Sequence, residues 1–356
     1  MTETLVRGAF HPLTVADVEP LTDDAVAVTF DVPLSLAGAF DFEAGQSLTL
    51  RRVIEGVEHR RTYSICSAFG ERPRIGVREI PDGLFSSWLV HDVRPGDVVE
   101  VQTPSGSFRA APHEGGRHLC IAAGSGITPM LSIAASVLAN PDAQLTLLYG
   151  NRTTSSVMFA EELADLKNRH GAQFDLMHVL SREPRDVELF TGRLDGEKLR
   201  LILTALVPLA AVDHIWLCGP FEMIAEAREV LAELGVAPEK VHFELFFVDE
   251  PPPQLRHADK VVEGVTSDVT VVLDGRSSTT PMPRTQTILD SAQEIRTDLP
   301  FACKGGVCGT CRAKVCDGEV DMVRNYALEA AEVEQGFVLT CQTFPVSDNV
   351  TVDFDQ

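Results

Sequence analysis

The sequence predicts a multidomain chain in which an antiparallel β-barrel, a parallel α/β sheet and a small α+β module follow one another. Three observations carry that expectation. The first hundred or so residues hold short β-type runs separated by Gly, Pro and Asp; after Gly116 apolar strands alternate with Gly-rich turns and helical segments; and the stretch 248–264 carries three consecutive prolines with little apolar content. The chain is 356 residues long, enough for two or three domains at roughly 100–200 residues each.

The barrel is predicted over 1–112 from VAVTFDV (25–31), SLTLRRV (47–53), RIGVREI (74–80) and DVVEVQT (97–103), spaced as in an antiparallel barrel or sandwich. The α/β module, 113–247, follows from HLCIAAG then ITPMLSIAASVLAN, QLTLLYG then FAEELADLKNRH, FDLMHVL, HIWLCGP then FEMIAEAREVLAEL, and VHFELFF. Such alternation makes a parallel sheet with helices on its faces. Residues 248–264 read as a semi-extended linker. The last module, 265–356, is expected to hold strands in DVTVVLDG and SSTTPMP, a helix ending near Arg296 and a cysteine-rich loop.

Composition narrows the function. A chain that is 44% hydrophobic and 23% charged has a core to bury. Its 30 basic and 52 acidic residues give a net charge of −22, which repels phosphate backbones and anionic head groups, so neither nucleic acid nor a membrane is an expected partner. The opening MTETLVRGAF lacks the basic-then-apolar run of a signal peptide. The most apolar stretch, Leu201 to Val212, contains Thr204 and Pro208 and is shorter than the ~18 residues of a membrane span. The expected location is the cytoplasm, where eight cysteines point away from disulfides and toward metal or redox chemistry.

FACKGGVCGTC places Cys303, Cys308 and Cys311 in a C-x4-C-x2-C loop, and Cys341 follows after a further 29 residues. This is plant-type [2Fe–2S] spacing, and the small residues Gly305, Gly306, Gly309 and Thr310 let backbone N–H groups approach the sulfurs. A four-cysteine zinc site would show two C-x2-C pairs where this chain has one, and a Rieske centre needs C-x-H and C-x2-H elements that do not occur. Cys316, on the predicted strand AKVCDGEV, reads as a buried thiol outside the ligand set. Cys66, Cys120 and Cys218 sit at strand ends and read the same way.

Beside that loop stand RRTYSIC (60–66), IAAGSGITPM (121–130), YGNRT (149–153), CGP (218–220), HFELF (242–246) and DLPFACKGGVCGTC (298–311). Together they resemble the oxygenase reductases of the ferredoxin reductase superfamily, in which FAD, nicotinamide and [2Fe–2S] domains occur in that order. The resemblance covers essentially the whole chain and implies a β-grasp ferredoxin fold for the last module. It implies Arg61 on the flavin pyrophosphate, Tyr63 against the isoalloxazine ring and Ser64 donating near flavin N5; a guanidinium suits phosphate and an aromatic face covers a flat ring. Val77 and Arg78, then Gly83 with Phe85, Ser86 and Ser87, resemble the segments that hold the ribityl chain and diphosphate. Ser86 reads equally as an ordinary N-cap.

In the nicotinamide module the resemblance assigns Gly124 and Gly126 to close approach of a diphosphate, with Thr128 and Pro129 beginning the helix that presents its N–H groups. The motif is the superfamily's own and not G-x-G-x-x-G. Cys218-Gly219-Pro220 matches a motif near the meeting point of nicotinamide and flavin, where Cys218 is either a site wall or core. Phe246 resembles the aromatic that covers the flavin face, with a packing role as the alternative. Ser64, Cys218 and Phe246 are therefore the residues expected nearest the hydride transfer.

NADPH is the expected donor, because Arg152 in YGNR and Ser181-Arg182 in VLSRE follow β-strands and no acid ends the 145–149 strand. Both arginines read alternatively as solvated surface. Nicotinamide gives two electrons together and a cluster takes them singly, so a flavin must stand between them. The only E-x-x-H, Glu239 to His242, runs into a predicted strand, so a bundle-type diiron site must belong to another polypeptide. The resemblance implies that this oxygenase partner acts on phenylacetyl-CoA by ring 1,2-epoxidation. An aromatic-ring or steroid hydroxylase is the alternative acceptor, and AAGSGITP and CGP argue against an iron–sulfur sensor that uses no pyridine nucleotide. From Ser267 onward 14 acidic and 7 basic residues give the last module a net charge of −7, suited either to steering toward a basic partner or simply to solubility.

Overall fold

The computed structural model describes residues 9–81, 83–111, 113, 115–246, 255–328 and 330–356. The chain divides into two compact units, Met1–Phe246 and Phe247–Gln356. The opening segment 1–8 and the part of the expected linker at 248–254 lie outside the described residues.

The first unit opens with strands β1 (Phe10–Thr22), β2 (Ala25–Asp31), β3 (Ser47–Ile54), β4 (Val57–Ser64) and β5 (Arg74–Arg78), helix α1 (Ser86–His91) and β6 (Val98–Gln102). The strands form one antiparallel sheet in the order β4-β3-β6-β1-β2-β5. Its outer strands meet through the antiparallel bridge of Ile65 with Ile75, and Cys66 N–H donates to Arg74 O at 2.7 Å. That contact closes the sheet into a barrel, which removes both exposed edges. Leu13, Val28, Phe30, Leu48, Leu50 and Ile75 are wholly buried inside it. Strands β1 and β4 had no counterpart in the sequence reading. Pro12 and Pro20 interrupt β1, and it tolerates them because Pro12 lies ahead of the pairing with β2, which begins at Thr14, and Pro20 borders the register shift between Pro20 and Thr22.

The same unit continues with β7 (Gly116–Ala123), α2 (Ile127–Val137), β8 (Ala143–Asn151), α3 (Ala160–His170), β9 (Phe174–Leu180), α4 (Gly196–Leu206), β10 (His214–Cys218), α5 (Phe221–Glu233) and β11 (Val241–Glu244). All neighbouring strands are parallel, in the order β11-β10-β7-β8-β9. The order reverses between β7 and β10, and such a switch point leaves a crevice at the strands' carboxyl ends. Barrel and α/β layer share one apolar core: Ala25, Ala27 and Phe108 cluster with Met130, Tyr149 and Trp216, and Phe108 meets Trp216 edge-on at 5.3 Å. Arg74 of β5 adds hydrogen bonds of 2.8 and 2.9 Å to Glu162 of α3.

The second unit contains β12 (Thr266–Leu273), β13 (Arg276–Pro283), α6 (Ile288–Gln293), β14 (Arg312–Asp317), β15 (Val320–Met322), α7 (Ala330–Glu334), β16 (Phe337–Leu339), β17 (Thr343–Pro345) and β18 (Asn349–Asp353). Five strands form a mixed sheet, β13-β12-β18-β14-β16, in which only β12 and β18 are parallel; β15 and β17 form a separate ribbon. Ile288, Leu289 and Ala292 of α6 join Val269, Val271 and Val352 in the core, the mixed-sheet arrangement of a β-grasp module. Cys316 corrects the sequence reading, for it is exposed. The pairing of β14 with β18 shifts register between Val315 and Asp317, so Cys316 occupies a bulge and turns to solvent. No helix among the described residues is long and apolar enough to cross a membrane.

Candidate functional site

Three strand ends meet at the switch point. Cys218 closes β10 and pairs in register with Glu244, the last residue of β11. Ser64, the last residue of β4 in the barrel, donates from Oγ to Glu244 Oε2 at 2.8 Å. Burial pushes the Glu244 carboxyl up to about 7, against the opposing pull of the Ser64 hydrogen bond. The Cys218 thiol is also pushed up, first by burial and then by the nearby Glu244 charge. Sequence reasoning named Ser64 and Cys218 and missed Glu244. An acid inside the apolar run HFELF was the available signal, since a carboxyl on a half-buried strand needs a partner.

The glycine turns at this point hold one another. A Cβ on Gly126 would stand 2.1 Å from Cys218 O, and one on Gly219 would meet Met223 Cε at 2.6 Å. These two glycines let the turns after β7 and β10 touch backbone to backbone. Gly124 takes φ of +56°, which favours glycine, and its carbonyl accepts the Tyr149 hydroxyl at 3.0 Å. Thr128 Oγ1 donates to Ser125 O at 3.0 Å and fastens the turn to the start of α2, where Pro129 is buried. Pro220 is the residue from which α5 begins.

On the barrel side, Arg61 donates to Arg60 O at 2.7 Å and faces no carboxylate among the described residues. Arg60, in contrast, is buried and paired with Glu58. Arg61 is thus the exposed cation of the pair, as a pyrophosphate site requires. Tyr63 and Phe85 rings lie 6.3 Å apart, and Val77 belongs to the barrel core. Arg78 is already engaged: it donates to Ser156 O at 2.6 Å and pairs with Asp24 at 3.2 Å. A Cβ on Gly83 would meet Ser86 Oγ at 2.6 Å, and that buried hydroxyl accepts Ile80 N–H at 3.1 Å. Phe85 occupies the N-cap position of α1, which displaces the N-cap reading of Ser86. Ser87 N–H donates to Gly83 O at 3.0 Å, and Phe246 is 38% exposed at the end of the unit.

The expected coenzyme arginines differ from one another. Arg152 lies 3.6 Å from Asp24 in the turn between β1 and β2. Arg182 is exposed just past β9 and its N–H donates to Arg152 O at 2.8 Å, while Ser181 N–H donates to Asn151 O at 2.9 Å. These bonds extend the β8–β9 pairing and hold both segments side by side at the sheet's carboxyl edge.

In the second unit the four expected ligands lie close together: Cys303 neighbours Cys308, and Cys311 neighbours both Cys341 and Cys308. Bonding with Cys308 and backbone donors including Gly305 holds the Cys303 thiol well below its usual range; Cys308 and Cys311 are raised, first by their sulfur partners and then by burial. Four neighbouring thiols on one loop and the nearby turn are the donor set that a [2Fe–2S] cluster would take. Gly306 and Gly309 take φ of +80° and +67°, and Gly305 N–H reaches Cys303 Sγ at 3.3 Å, so the loop presents N–H groups to sulfur.

Domain-family models agree with this layout: an oxidoreductase FAD-binding domain matches residues 12–110, an oxidoreductase NAD-binding domain 120–229 and a 2Fe-2S iron-sulfur cluster binding domain 271–346. Barrel, switch-point sheet and neighbouring thiols therefore define an oxidoreductase that binds FAD, a nicotinamide coenzyme and a [2Fe–2S] cluster. The chain is 43% identical to one of the subunits of the 1,2-phenylacetyl-CoA epoxidase of Escherichia coli (strain K12), over 97% of this chain and 98% of that one. It is 33% identical to the ferredoxin reductase component of a Mycobacterium tuberculosis 3-ketosteroid-9-alpha-monooxygenase, over 97% and 96%. A solved structure of phthalate dioxygenase reductase covers 97% of this chain and 98% of its own at a TM-score of 0.60 and 25% identity. The chain belongs to this family of oxygenase reductase components.

Proposed function

We propose that the chain is the NADPH-dependent reductase of a separate diiron oxygenase that acts on phenylacetyl-CoA, and that it works in the cytoplasm. The end-to-end likeness to the epoxidase polypeptide carries this reading; the ketosteroid relatives support another oxygenase as the second reading. Bound FAD supplies the exchange between paired and single electrons, and the cluster passes them on singly. The remaining work belongs to the protein. Arg61, Tyr63 and the 83–87 turn hold the flavin, and Ser64, whose one hydroxyl proton goes to Glu244 and not to flavin N5 as the sequence suggested, offers its oxygen beside the reacting edge. Cys218 and the paired glycine turns form the wall against which nicotinamide is placed, and Phe246 covers the flavin face. Arg182, with Arg152 and Ser181, receives the 2′-phosphate. The proposed divisions are 1–112, 113–247 and 265–356, joined by 248–264. The test is NADPH- and oxygen-dependent turnover of phenylacetyl-CoA with the reconstituted epoxidase oxygenase. Support of a steroid or ring hydroxylase in its place would move the chain to the second reading.

A further inference from the structure

The β3–β4 hairpin of the barrel treats its two faces differently. Arg51 and Arg60 stand opposite one another and are neutralised. Arg51 Nε pairs with Glu100 Oε2 at 2.8 Å, Arg60 Nη2 pairs with Glu58 Oε1 at 2.6 Å, and both guanidinium groups lie over the Phe10 ring, at 4.4 and 4.9 Å. The alternate pairs Leu48–Tyr63, Leu50–Arg61 and Arg52–His59 fall on the other face. There the arginines keep no carboxylate. Arg61 bonds to a backbone oxygen, and half-buried Arg52 makes no ion pair or hydrogen bond among the described residues. Its guanidinium lies instead over the Trp88 ring of α1, 4.4 Å from the centroid. In a chain of 52 acidic and 30 basic residues, two arginines left without acids on one face suit an external anion and the groups attached to it.

Aromatic rings run along the same face: Tyr63 lies 6.3 Å from Phe85, and Phe85 meets Trp88 edge-on at 5.5 Å. A guanidinium propped over an indole keeps its other face for a second flat partner, and such planes take the π-face of a nucleobase. At 4.4 Å no base fits between Arg52 and Trp88, so the base must lie on the outer face of the guanidinium. We propose that Arg52, propped by Trp88, is the platform for the adenine of FAD, and that it makes the chain select FAD over FMN. The proposal rests on the reading that Tyr63 covers the isoalloxazine ring and Arg61 holds the diphosphate. Along β4 the flavin roles fall at Ser64, Tyr63 and Arg61, and a further step of two residues, about 6.7 Å, reaches His59 opposite Arg52. Ring, diphosphate and adenine thus follow one another down a single face, in the order of an extended dinucleotide.

The experiment follows release of bound flavin from the full-length holoprotein on dilution, by flavin fluorescence, with the protein carrying FAD and, after exchange, FMN. Arg52→Ala should release FAD about tenfold faster, as loss of one base-stacking contact gives, and FMN at the wild-type rate. Arg52→Lys keeps the charge and loses the flat face, so it should release FAD as fast as Arg52→Ala. Trp88→Phe keeps a ring beneath the guanidinium and should stay near wild type. Wild-type FAD release from Arg52→Lys would reduce Arg52 to a counter-charge, and equal acceleration of FAD and FMN in Arg52→Ala would make it structural. Either result overturns the platform, as does unchanged FAD release from Arg52→Ala. Arg61→Ala should speed the release of both flavins. If it speeds neither, the diphosphate reading fails, while the contrast of Arg52→Ala with Arg52→Lys still decides the platform.

Discussion

The two redox centres are built in opposite ways. Three of the four proposed cluster thiols lie within the nine residues 303–311, whereas the Ser64–Glu244 hydrogen bond joins residues 180 apart in sequence. Iron needs sulfur at a fixed bond length from several directions, and a short loop with left-handed glycines meets that demand locally. Hydride transfer needs a wall shared by the flavin and nicotinamide layers, and no single segment reaches both. A local centre announces itself by spacing, and an assembled one exists only after the barrel and the parallel sheet have packed.

Removing one thiol is the strongest test of that contrast. Cys341→Ser should abolish the cluster's visible absorbance and its iron and acid-labile sulfide, because the cluster then loses one of its four thiolates. Cys316→Ser should keep all three at wild-type levels. The reverse result would place the fourth ligand on β14.

The coenzyme edge is assembled too, so its arginines should act by distance and not by sequence neighbourhood. Arg182→Ala should weaken NADPH binding by ~1–3 kcal/mol, the scale of a lost charge-assisted hydrogen bond, and leave NADH nearly unchanged. Arg152, already paired with Asp24, should show the smaller effect. Equal losses for both coenzymes would make Arg182 structural, and a wild-type preference for NADH would defeat the assignment.

Glu244→Gln probes the long-range bond itself. The wild-type hydride step should show an inflection near pH 7, where this carboxyl ionises, and the variant should lose it together with about tenfold in rate, as one charge-assisted hydrogen bond at ~1.4 kcal/mol would give. The stability effect has the opposite sign. Between the ordinary carboxylate value of 4.5 and about 7 the folded chain keeps a proton that the unfolded chain has lost. This group therefore costs stability as pH rises through that window, up to about 3 kcal/mol. Thermal melts should find Glu244→Gln more stable than wild type at about pH 8, with the difference vanishing at about pH 4. A difference that persists in acid would remove the ionisation argument.

The smallest expected effect lies outside both centres. With a net charge of −7 from Ser267 onward, electron delivery to a basic oxygenase surface should slow a few-fold as salt rises from low to physiological strength. A flat response in reconstituted turnover would leave those acids a solubility role only.

What could be read before the structure followed the same division. The runs at 25–31 and 47–53 announced β2 and β3 because alternation and local turn chemistry suffice for a strand. Strand β1 did not, because its prolines read as breaks and only pairing on both sides with β2 and β6 makes it a strand. Gly126 was legible as a glycine that something must approach closely, yet the approaching group found here is Cys218 O.

By itself the sequence determined that an FAD-binding, a nicotinamide-binding and a [2Fe–2S] module follow in that order, set by short-range spacing and periodicity. Only the tertiary structure decided that Glu244 stands under Ser64, that Arg78 and Arg152 converge on Asp24, that Cys316 turns outward at a bulge, and that Arg52 lies over Trp88. Each depends on which strands become neighbours, and burial and partnership are properties of that packing.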